Sequence, residues 1–239
     1  MKYLDLTFTD PASNLACDET LLEMVEADDC IDGILRVWQP ESYFVVLGHS
    51  NRLGAEVNIS ACAAAKVPIL RRISGGGTIL QGPGCLNYSL ALNSEAHGIK
   101  NVVAAFHYVL DPHRQLIGSL MGTEICIDGI SDLTSAGRKF SGNAQYRKSR
   151  AVLVHGTFLL NFDLSMIERC LQIPPKQPEY RLNRSHRDFV TNLNIEPRCV
   201  LELLSECWKA DGELNDIPCE RIDSLVRSHY GTADWTRKF

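Results

Sequence analysis

The sequence predicts an α+β fold in which helices pack on a mixed, largely antiparallel sheet. Short apolar segments typical of strands are interspersed with longer segments whose apolar residues recur at helical spacing. Several neighbouring strand segments are joined by loops too short for a parallel crossover, which favours antiparallel pairing. The 239 residues, with 45% hydrophobic and 22% charged side chains, are enough for one large globular domain over residues 1–239.

The N-terminal half is predicted to begin with a helix. Asn14 or Ser13 could cap a helix over residues 11–26, whose apolar stripe includes Leu15 and Leu22. The elements predicted after it are strands at 34–38 and 43–47, a short alanine-rich helix at 59–66, and a strand at 67–70. The last of these strands runs directly into a stretch rich in glycine.

The rest of the chain alternates in the same way. Apolar and polar side chains alternate over residues 86–93, which predicts a half-buried strand with one polar face. Residues 101–120 predict one or two helices, with Pro112 interrupting or starting one. The other predicted elements are strands at 125–127 and 151–162 and helices at 197–209 and 218–230, and the basic residues 137–150 are interpreted as a loop.

Charge and cysteine usage exclude some function classes. The net charge of −5 gives no global field that would favour nucleic acid. No apolar run is long enough for a membrane span, and the N-terminus lacks the apolar core of a signal peptide. Nine cysteines are scattered without a CxxC pair, which indicates reduced thiols in a cytoplasmic protein rather than a zinc site or a disulfide framework.

Three short stretches carry the candidate chemistry, and the first is RRISGGGTIL. Consecutive glycines uncover backbone N–H groups and allow an anion or a flat ligand to approach closely. Arg71 and Arg72 end the preceding strand, where neighbouring side chains point to opposite faces, so one of them is expected to face the ligand. The stretch lacks the GK[ST] of a phosphate loop, and a strand follows it rather than a helix. A flexible surface loop is the alternative interpretation.

The other two stretches are GRKFSGNA and HGT. Lys139 is a compact point charge suited to a carboxylate or phosphate oxygen, and the small residues after it leave room beside it. A solvated basic loop is the alternative for this stretch. His155 interrupts an apolar strand and is followed by Gly156, a residue that within a strand often marks a close approach of ligand or backbone. A buried, hydrogen-bonded core histidine is the alternative there.

Taken in order, these stretches resemble the signature blocks of the lipoate–protein ligases. Those enzymes belong to the biotin/lipoate ligase family, whose catalytic domain is related to class II aminoacyl-tRNA synthetases. The matching blocks are RRISGGGTILQGPG, GRKFSGNAQ and HGTFLLN, with DPASNLACDETLL, ILRVW, FVVLG and EVN before them. The resemblance covers roughly residues 5–230 and implies that fold for this chain.

The resemblance also implies a chemistry. The family activates the carboxylate of lipoate with ATP, forming an acyl-adenylate, and then transfers the acyl group to a lysine of a carrier domain. The implied substrates are ATP and lipoate, with Mg²⁺ bridging phosphates although the sequence shows no dedicated acidic cage for it. The implied acceptors are lipoyl carrier domains, of the glycine-cleavage H-protein type or the 2-oxoacid dehydrogenase E2 type.

Site roles follow from the same resemblance. Lys139 would contact the lipoyl carboxylate and the α-phosphate. The residues implied in substrate or nucleotide binding are Arg71, Arg72, Ser74, Gly75, Gly76, Gly77, Thr78, Asn87, Asp132, Gly142, Ala144, His155, Gly156 and Thr157. Among them, Arg72 would lie near the adenylate phosphate, Asp132 near the nucleotide, and His155 with Gly156 in the wall of the lipoyl tunnel.

The chain departs from the family pattern in two places. The larger ligases carry an accessory domain after the catalytic domain, and this chain ends at WTRKF, where such a domain would begin. We expect the chain to act without that domain, to use a separate subunit, or to transfer a ready-made acyl group. Cys85 stands where many family members have asparagine, and related octanoyltransferases use a cysteine nucleophile without ATP.

Three further alternatives stay open at this stage. The chain could be a non-catalytic subunit that holds lipoate or a carrier protein, or it could use biotin, although its glycine stretch lacks the later arginines of biotin ligases. The basic and aromatic residues 177–193 could dock an acidic carrier domain, cover the adenylate, or form a solvated segment.

Overall fold

The computed structural model describes residues 1–28, 30 and 32–239. The strands are β1 (Lys2–Asp5), β2 (Ile34–Trp38), β3 (Phe44–Leu47), β4 (Ile69–Arg71), β5 (Ile79–Gln81), β6 (Cys85–Asn93), β7 (Cys126–Asp128), β8 (Asp132–Ser135), β9 (Arg138–Arg147), β10 (Ala151–Leu159) and β11 (Gly212–Glu213). The helices are α1 (Pro11–Glu26), α2 (Leu53–Glu56), α3 (Ile59–Ala64), α4 (Val102–Met121), α5 (Ser165–Cys170), α6 (His186–Phe189), α7 (Pro197–Cys207), α8 (Cys219–Leu225) and α9 (Ala233–Thr236).

Two sheets form the framework. Eight strands pair in the order β11-β1-β2-β6-β10-β9-β8-β7, and three pair in the order β4-β3-β5. In the large sheet β1 runs parallel to β2 and β11, and every other pairing is antiparallel. The predicted α+β class with a mixed, largely antiparallel sheet is therefore confirmed.

Helices cover both faces of the central strands. α1 packs on β6 and β10 on one face, where Leu15, Leu22 and Leu153 belong to one apolar cluster. α4 and α7 cover the opposite face in a second cluster that contains Tyr88, Val109 and Phe158. No helix in the described part of the chain is long and apolar enough to cross a membrane.

Helix α1 spans the predicted residues, but its N-cap differs from the prediction. Asp10, rather than Asn14 or Ser13, accepts hydrogen bonds from the backbone N–H groups of Ala12 and Ser13. Pro11 follows at the first helical position, where its missing N–H costs nothing. Asn14 is buried and exchanges hydrogen bonds with the backbone of Phe8 instead.

Helix α4 is continuous through Pro112, although an interruption was predicted there. Asn101 caps its start, Gly122 ends it in a left-handed conformation, and Pro112 lies inside it. An internal proline removes one helical hydrogen bond and kinks or breaks an isolated helix. Here the apolar face formed by Phe106, Val109 and Leu110 is buried against the sheet, and this packing offsets the lost bond.

Two predictions about strands were wrong. All nine residues of β6 are buried, because α1 covers the face that was expected to be polar and solvated. Residues 138–147, interpreted from the sequence as a loop, form the ten-residue strand β9. Glycine, lysine and serine have weak strand propensity, and it is the pairing with β10 and β8 on either side that makes this segment a strand.

Candidate active site

Two cross-strand rows of side chains lie on the face of the large sheet that α1 also covers. We call this the site face, marked by Arg36, His155 and Lys139, and we call the face under α4 the core face. One row joins Arg36, Ser89, His155 and Ala144, and the next joins Trp38, Asn87, Thr157, Gly142 and Asp132. Six of the residues predicted from the sequence therefore lie in these two adjacent rows, with Lys139 at their end.

A bulge brings Lys139 onto the site face. The β8–β9 register pairs Leu133 with Ser141 but Thr134 with Lys139, so Phe140 is the additional residue. Side chains alternate along a strand, and Lys139 would otherwise point away from Gly142, three positions on. The bulge reverses this alternation, turns Phe140 into the apolar cluster of the core face, and leaves Lys139 beside Gly142.

Lys139 and Asp132 form the central ion pair. Lys139 Nζ lies 2.8 Å from Asp132 Oδ1, with both side chains partly accessible. A Cβ at Gly142 would lie 2.8 Å from Lys139 Cε and Nζ, so a larger residue there would shift the ammonium from this position. Gly142 lies beside Lys139, and its role in shaping a substrate pocket there stays a prediction.

Residues 177–193 fold against this ion pair, and the interpretation of a solvated segment is wrong. Tyr180 donates its hydroxyl proton to Asp132 Oδ2 at 2.7 Å. Burial and the nearby Asp132 carboxylate raise the pKa of Tyr180 well above its ordinary value, so the phenol stays protonated. The backbone N–H of Thr191 donates to Lys139 O at 2.9 Å, and Arg181 is buried.

Arg72 holds the glycine loop, residues 74–78, from below. Its guanidinium donates to Ser74 Oγ at 2.9 Å, to Gly75 O at 2.6 Å and to Gly77 O at 2.9 Å. Burial lowers the pKa of Arg72 to about 10. This is still well above neutral pH, so the guanidinium stays charged. Gly76 has φ +89°, and a Cβ there would lie 2.9 Å from the guanidinium, so a side chain is excluded.

The loop leaves an open, side-chain-free surface above the sheet. All three glycines are exposed, and nothing lies within 4 Å of a Cβ built at Gly75 or Gly77. Below, the Cβ of Ala144 lies 3.6 Å from a Cβ built at Gly76, so this predicted residue does lie under the loop. In the described part of the chain, no acceptor is bonded to the N–H groups of these glycines.

A buried polar chain links the loop to the site face. Ser74 Oγ and His155 Nε2 are 2.6 Å apart, and His155 Nδ1 lies 3.8 Å from Asp18 Oδ2. Asp18 Oδ1 in turn pairs with the fully buried Arg36 at 2.7 Å. Burial alone raises the pKa of Asp18, but Arg36 and the hydrogen bond to His155 outweigh it and lower that pKa below its ordinary value.

Arg71 points away from the glycine loop. Its fully buried guanidinium donates to the carbonyl oxygens of Gly48, Asn51 and Thr236, among others. These bonds join the loop after β3 to α9 and occupy the donors of Arg71. The structure thus answers which of the two arginines faces the glycine loop, and it is Arg72.

The other predicted residues fall into two hydrogen-bonded groups. Thr78 Oγ1 donates to Glu56 Oε2 at 2.6 Å, and Glu56 also accepts from Asn51 at 2.7 Å. The remaining group is buried and consists of Gln81, Asn87 and Thr157, in which Gln81 donates to Asn87 Oδ1 at 2.8 Å and to Thr157 Oγ1 at 2.7 Å. The polar groups of Asn87 are thereby occupied.

Gly156 lies where it was predicted along the strand but serves the opposite face. A Cβ at Gly156 would overlap the side chain of Asn143 and lie 2.8 Å from the ring of Tyr88, both on the core face. The space that Gly156 provides is filled by protein on the side away from Lys139. A wall of a ligand tunnel at this glycine, as predicted, is therefore not what the packing shows.

Cys85 is enclosed in an apolar cluster. It is 1% exposed and packs in the group that contains Val45, Cys62 and Phe162. Burial raises the pKa of the Cys85 thiol to about 12, so the thiolate is scarce at neutral pH. This environment is the opposite of the electropositive, accessible one that a nucleophilic cysteine needs.

Several residues of this site escaped the sequence analysis. They are Asp18, Arg36, Glu56, Gln81 and Asn143. A signal existed for the first two, because a charged residue inside an apolar strand or an apolar helical stripe needs a buried partner. In the described residues, no three histidine, cysteine, aspartate or glutamate side chains converge as metal ligands.

The fold and this site define a class of enzyme that modifies proteins with lipoyl or octanoyl groups. The model of the lipoyl protein ligase A/B catalytic domain matches residues 10–202, and the chain belongs to this family. Lipoate–protein ligase 1 of Staphylococcus aureus is 28% identical over 98% of this chain and 73% of its own length. Octanoyltransferase LipM of Bacillus subtilis is 24% identical over 99% of this chain and 98% of its own length.

Solved structures show the same fold. A lipoate–protein ligase A bound with ATP superposes with a TM-score of 0.80 at 21% identity, covering 99% of this chain and 98% of the other. A bipartite lipoate protein ligase, described with its E2 lipoyl domain from Thermoplasma acidophilum, gives a TM-score of 0.79 at 20% identity over 99% and 95% of the two chains.

Proposed function

We propose that this chain is an ATP-dependent lipoate–protein ligase. It activates lipoate to lipoyl-AMP and transfers the lipoyl group to a lysine of a lipoyl carrier domain. The observation that carries the proposal is Lys139, set by the bulge beside Gly142 and held 2.8 Å from Asp132. A lysine is the group that adenylation requires at this point, because a carboxylate and an α-phosphate repel each other until a cation lies between them.

The glycine loop supports the same chemistry. Arg72 is charged and buried, and among the described residues its hydrogen bonds go only to hydroxyl and carbonyl oxygens, with the Glu56 carboxylate acting on it from beyond hydrogen-bond distance. A buried charge of this kind is stabilised when an anion arrives. The exposed N–H groups of Gly75, Gly76 and Gly77 offer further donors to phosphate oxygens, and the absence of side chains lets the adenylate lie against the backbone.

The described residues do not form a protein-built magnesium site. Asp132 already bonds to Lys139 and Tyr180, and Asn87 is bonded to Gln81. A magnesium ion would enter with the phosphates of ATP and keep most of its water ligands. We therefore assign no catalytic step to residues acting through it.

Transfer through Cys85 is the alternative that the octanoyltransferase relatives raise. The likeness to LipM extends over nearly all of both chains. The burial of Cys85 and its raised thiol pKa argue against this cysteine as the nucleophile. An ATP-independent transferase would then need another nucleophile, whereas the ligase proposal uses groups already in the site.

The partners follow from the proposed reaction. We propose lipoyl carrier domains of the E2 or glycine-cleavage H-protein type as acceptors, and a separate accessory subunit as in the bipartite ligase. We propose that the reaction takes place in the cytoplasm. Cys17, Cys62 and Cys170 are free thiols buried in the core, as is usual in a reducing compartment.

The test is a mass shift on the acceptor. Purified chain, lipoate and ATP are incubated with an E2 lipoyl domain, with and without ATP and with and without an accessory subunit. A gain of one lipoyl group that requires ATP is expected, and Lys139→Ala should abolish it. Lys148→Ala is the matched control, because Lys148 pairs with Glu23 away from the site.

Two outcomes decide against the proposal. Modification without ATP that is lost in a cysteine variant would indicate a transferase. Full activity of Lys139→Ala would remove the role assigned to this lysine. Formation of lipoyl-AMP by this chain alone would exclude a non-catalytic subunit.

A further inference from the structure

Asn143 lies directly behind the proposed catalytic ion pair, on the core face of β9. Its Nδ2 donates to Ser131 O at 2.6 Å, and Ser131 Oγ donates to Asn143 O at 2.8 Å. The last backbone pair of β8 with β9 is Asp132 with Gly142. The two reciprocal bonds therefore continue the ladder by one residue and hold the chain on the far side of Asp132.

The orientation of this amide is fixed by a third strand. Tyr88 Oη donates to Asn143 Oδ1 at 2.7 Å, and Ser141 Oγ approaches the same oxygen at 3.3 Å. Burial raises the pKa of Tyr88 far above its ordinary value, so its hydroxyl stays protonated and acts as a donor. With Oδ1 accepting from Tyr88, Nδ2 is left to donate to Ser131.

Gly156 provides the space for this arrangement. It pairs with Tyr88 on one side and with Asn143 on the other, and a Cβ at Gly156 would overlap Asn143 Oδ1. Three adjacent strands are thus fitted around one buried side-chain amide. The fit is independent of the contacts on the site face.

We infer that Asn143 is a positioning residue for adenylation, acting through Asp132 on Lys139. This inference rests on the proposed function of Lys139. Asn143 clamps the backbone at Ser131, which fixes the Asp132 carboxylate at the distance where it meets Lys139 Nζ. Without the clamp, the backbone at Asp132 is held by the ladder on only one side, and the hydrogen bond from Tyr180 alone fixes the carboxylate that meets the ammonium.

Lipoate-dependent exchange of pyrophosphate into ATP tests the inference. Asn143→Ala should lower kcat by about 10- to 100-fold, as expected for a misplaced catalytic group, with KM for ATP little changed. Gln145→Ala is the matched control, because it removes a hydrogen bond from the same strand to Val102 O. Full exchange in Asn143→Ala would overturn the inference.

A double variant separates positioning from packing. Gly156→Ala alone should lower Tm, because its methyl group overlaps Asn143. In Asn143→Ala/Gly156→Ala the overlap with Asn143 is removed and only the contact with the Tyr88 ring remains, so Tm should recover in part while kcat stays low. Recovery of kcat together with Tm would mean that Asn143 only packs, and would overturn the inference.

A measurement that does not depend on catalysis distinguishes a failure of this inference from a failure of the proposed function. Competitive acetylation of the folded protein measures how firmly Asp132 holds the Lys139 ammonium, with the exposed Lys176 as internal reference. Labelling of Lys139 should rise several-fold in Asn143→Ala and stay unchanged in Gln145→Ala. If the unaltered protein shows no exchange, the proposed function fails, and unchanged labelling in Asn143→Ala would still overturn the clamp.

Discussion

The two faces of the same sheet treat their buried polar groups differently. On the site face the buried groups include ions beside the neutral Asn87 and Thr157, with Arg36 paired to a carboxylate and Arg72, under the glycine loop, bonded to neutral oxygens. On the core face they are neutral, and Tyr88, Asn143 and His113 are linked by hydrogen bonds and ring contacts. Of these buried groups, the ions lie on one side of the sheet, and Tyr88, Asn143 and His113 lie on the other.

The two faces differ in the free-energy cost of burying their polar groups. Burying an ion costs several kcal/mol unless a partner offsets it, whereas a neutral group needs only a hydrogen bond. The buried ions therefore lie on the face where we propose that the substrate anions bind. The neutral groups hold the same strands from the core face. Because they carry no charge, they do not weaken the electrostatic potential on the site face.

The largest expected effect comes from breaking the buried pair on the site face. Asp18→Ala leaves the Arg36 guanidinium, 0% exposed, without its carboxylate partner. The free energy of unfolding should fall by about 3–5 kcal/mol, measured by urea denaturation. A loss below about 1 kcal/mol would show that the pair is not what keeps the site face folded.

The next effect concerns Arg72, whose hydrogen-bond partners are neutral oxygens. Arg72→Met should lower lipoate-dependent pyrophosphate exchange by about 100-fold, because it removes both the charge and the support of the glycine loop. Arg71→Met is the neighbouring control, since its guanidinium bonds to carbonyl oxygens of the loop after β3 and of α9 rather than to the glycine loop. It should reduce stability while the folded fraction retains exchange, and equal losses of exchange in both variants would contradict the distinction.

On the core face the expected effect is a dependence of stability on pH. Burial lowers the pKa of His113 to about 3, below its unfolded value, so the folded state holds the neutral ring. Stability from this group is complete above the unfolded pKa and decreases as the pH falls from there toward 3, by about 1.4 kcal/mol per pH unit.

The measurement is urea denaturation between pH 7 and pH 4 with His113→Gln as comparison. The decrease that the variant lacks is the contribution of His113. Trp208 Nε1 donates to His113 Nε2 at 2.9 Å, and glutamine keeps an acceptor for it. Parallel pH curves for the two proteins would show that His113 is not held neutral by the core face.

The smallest effect is expected at Cys85, which belongs neither to the buried polar groups of the site face nor to those of the core face. Cys85→Ala should lower the free energy of unfolding by about 1 kcal/mol, through lost packing in its apolar cluster, and should leave acceptor modification intact. Loss of modification in a folded Cys85→Ala protein would instead favour the transferase alternative.

Much of the fold followed from local patterns. The apolar periodicity gave α1 its bounds, placed β2 at residues 34–38, and located β6 and α4 to within about two residues. The blocks around Gly75, Lys139 and His155 also indicated where the site would form. Strand β9 was missed because its glycine, lysine and serine residues carry no strand signal of their own.

The positions of individual side chains were harder to predict. The alternation of neighbouring residues could not tell which of Arg71 and Arg72 faces the glycine loop. The bulge at Phe140 decided on which face of β9 Lys139 lies, and the overlap with Asn143 set Gly156 against the core face. Each of these outcomes depends on a partner strand rather than on the sequence nearby.

The sequence by itself determined the class of fold and the order along the chain of the apolar segments that form strands. It also determined the three blocks of residues that could carry chemistry. Only the tertiary structure decided which residues meet. Ser74 meets His155, Asp18 meets Arg36 and Ser131 meets Asn143 across gaps of 81, 18 and 12 residues. Local propensity acts over a few residues, whereas these contacts are fixed by strand register and by the packing of α1 on the sheet.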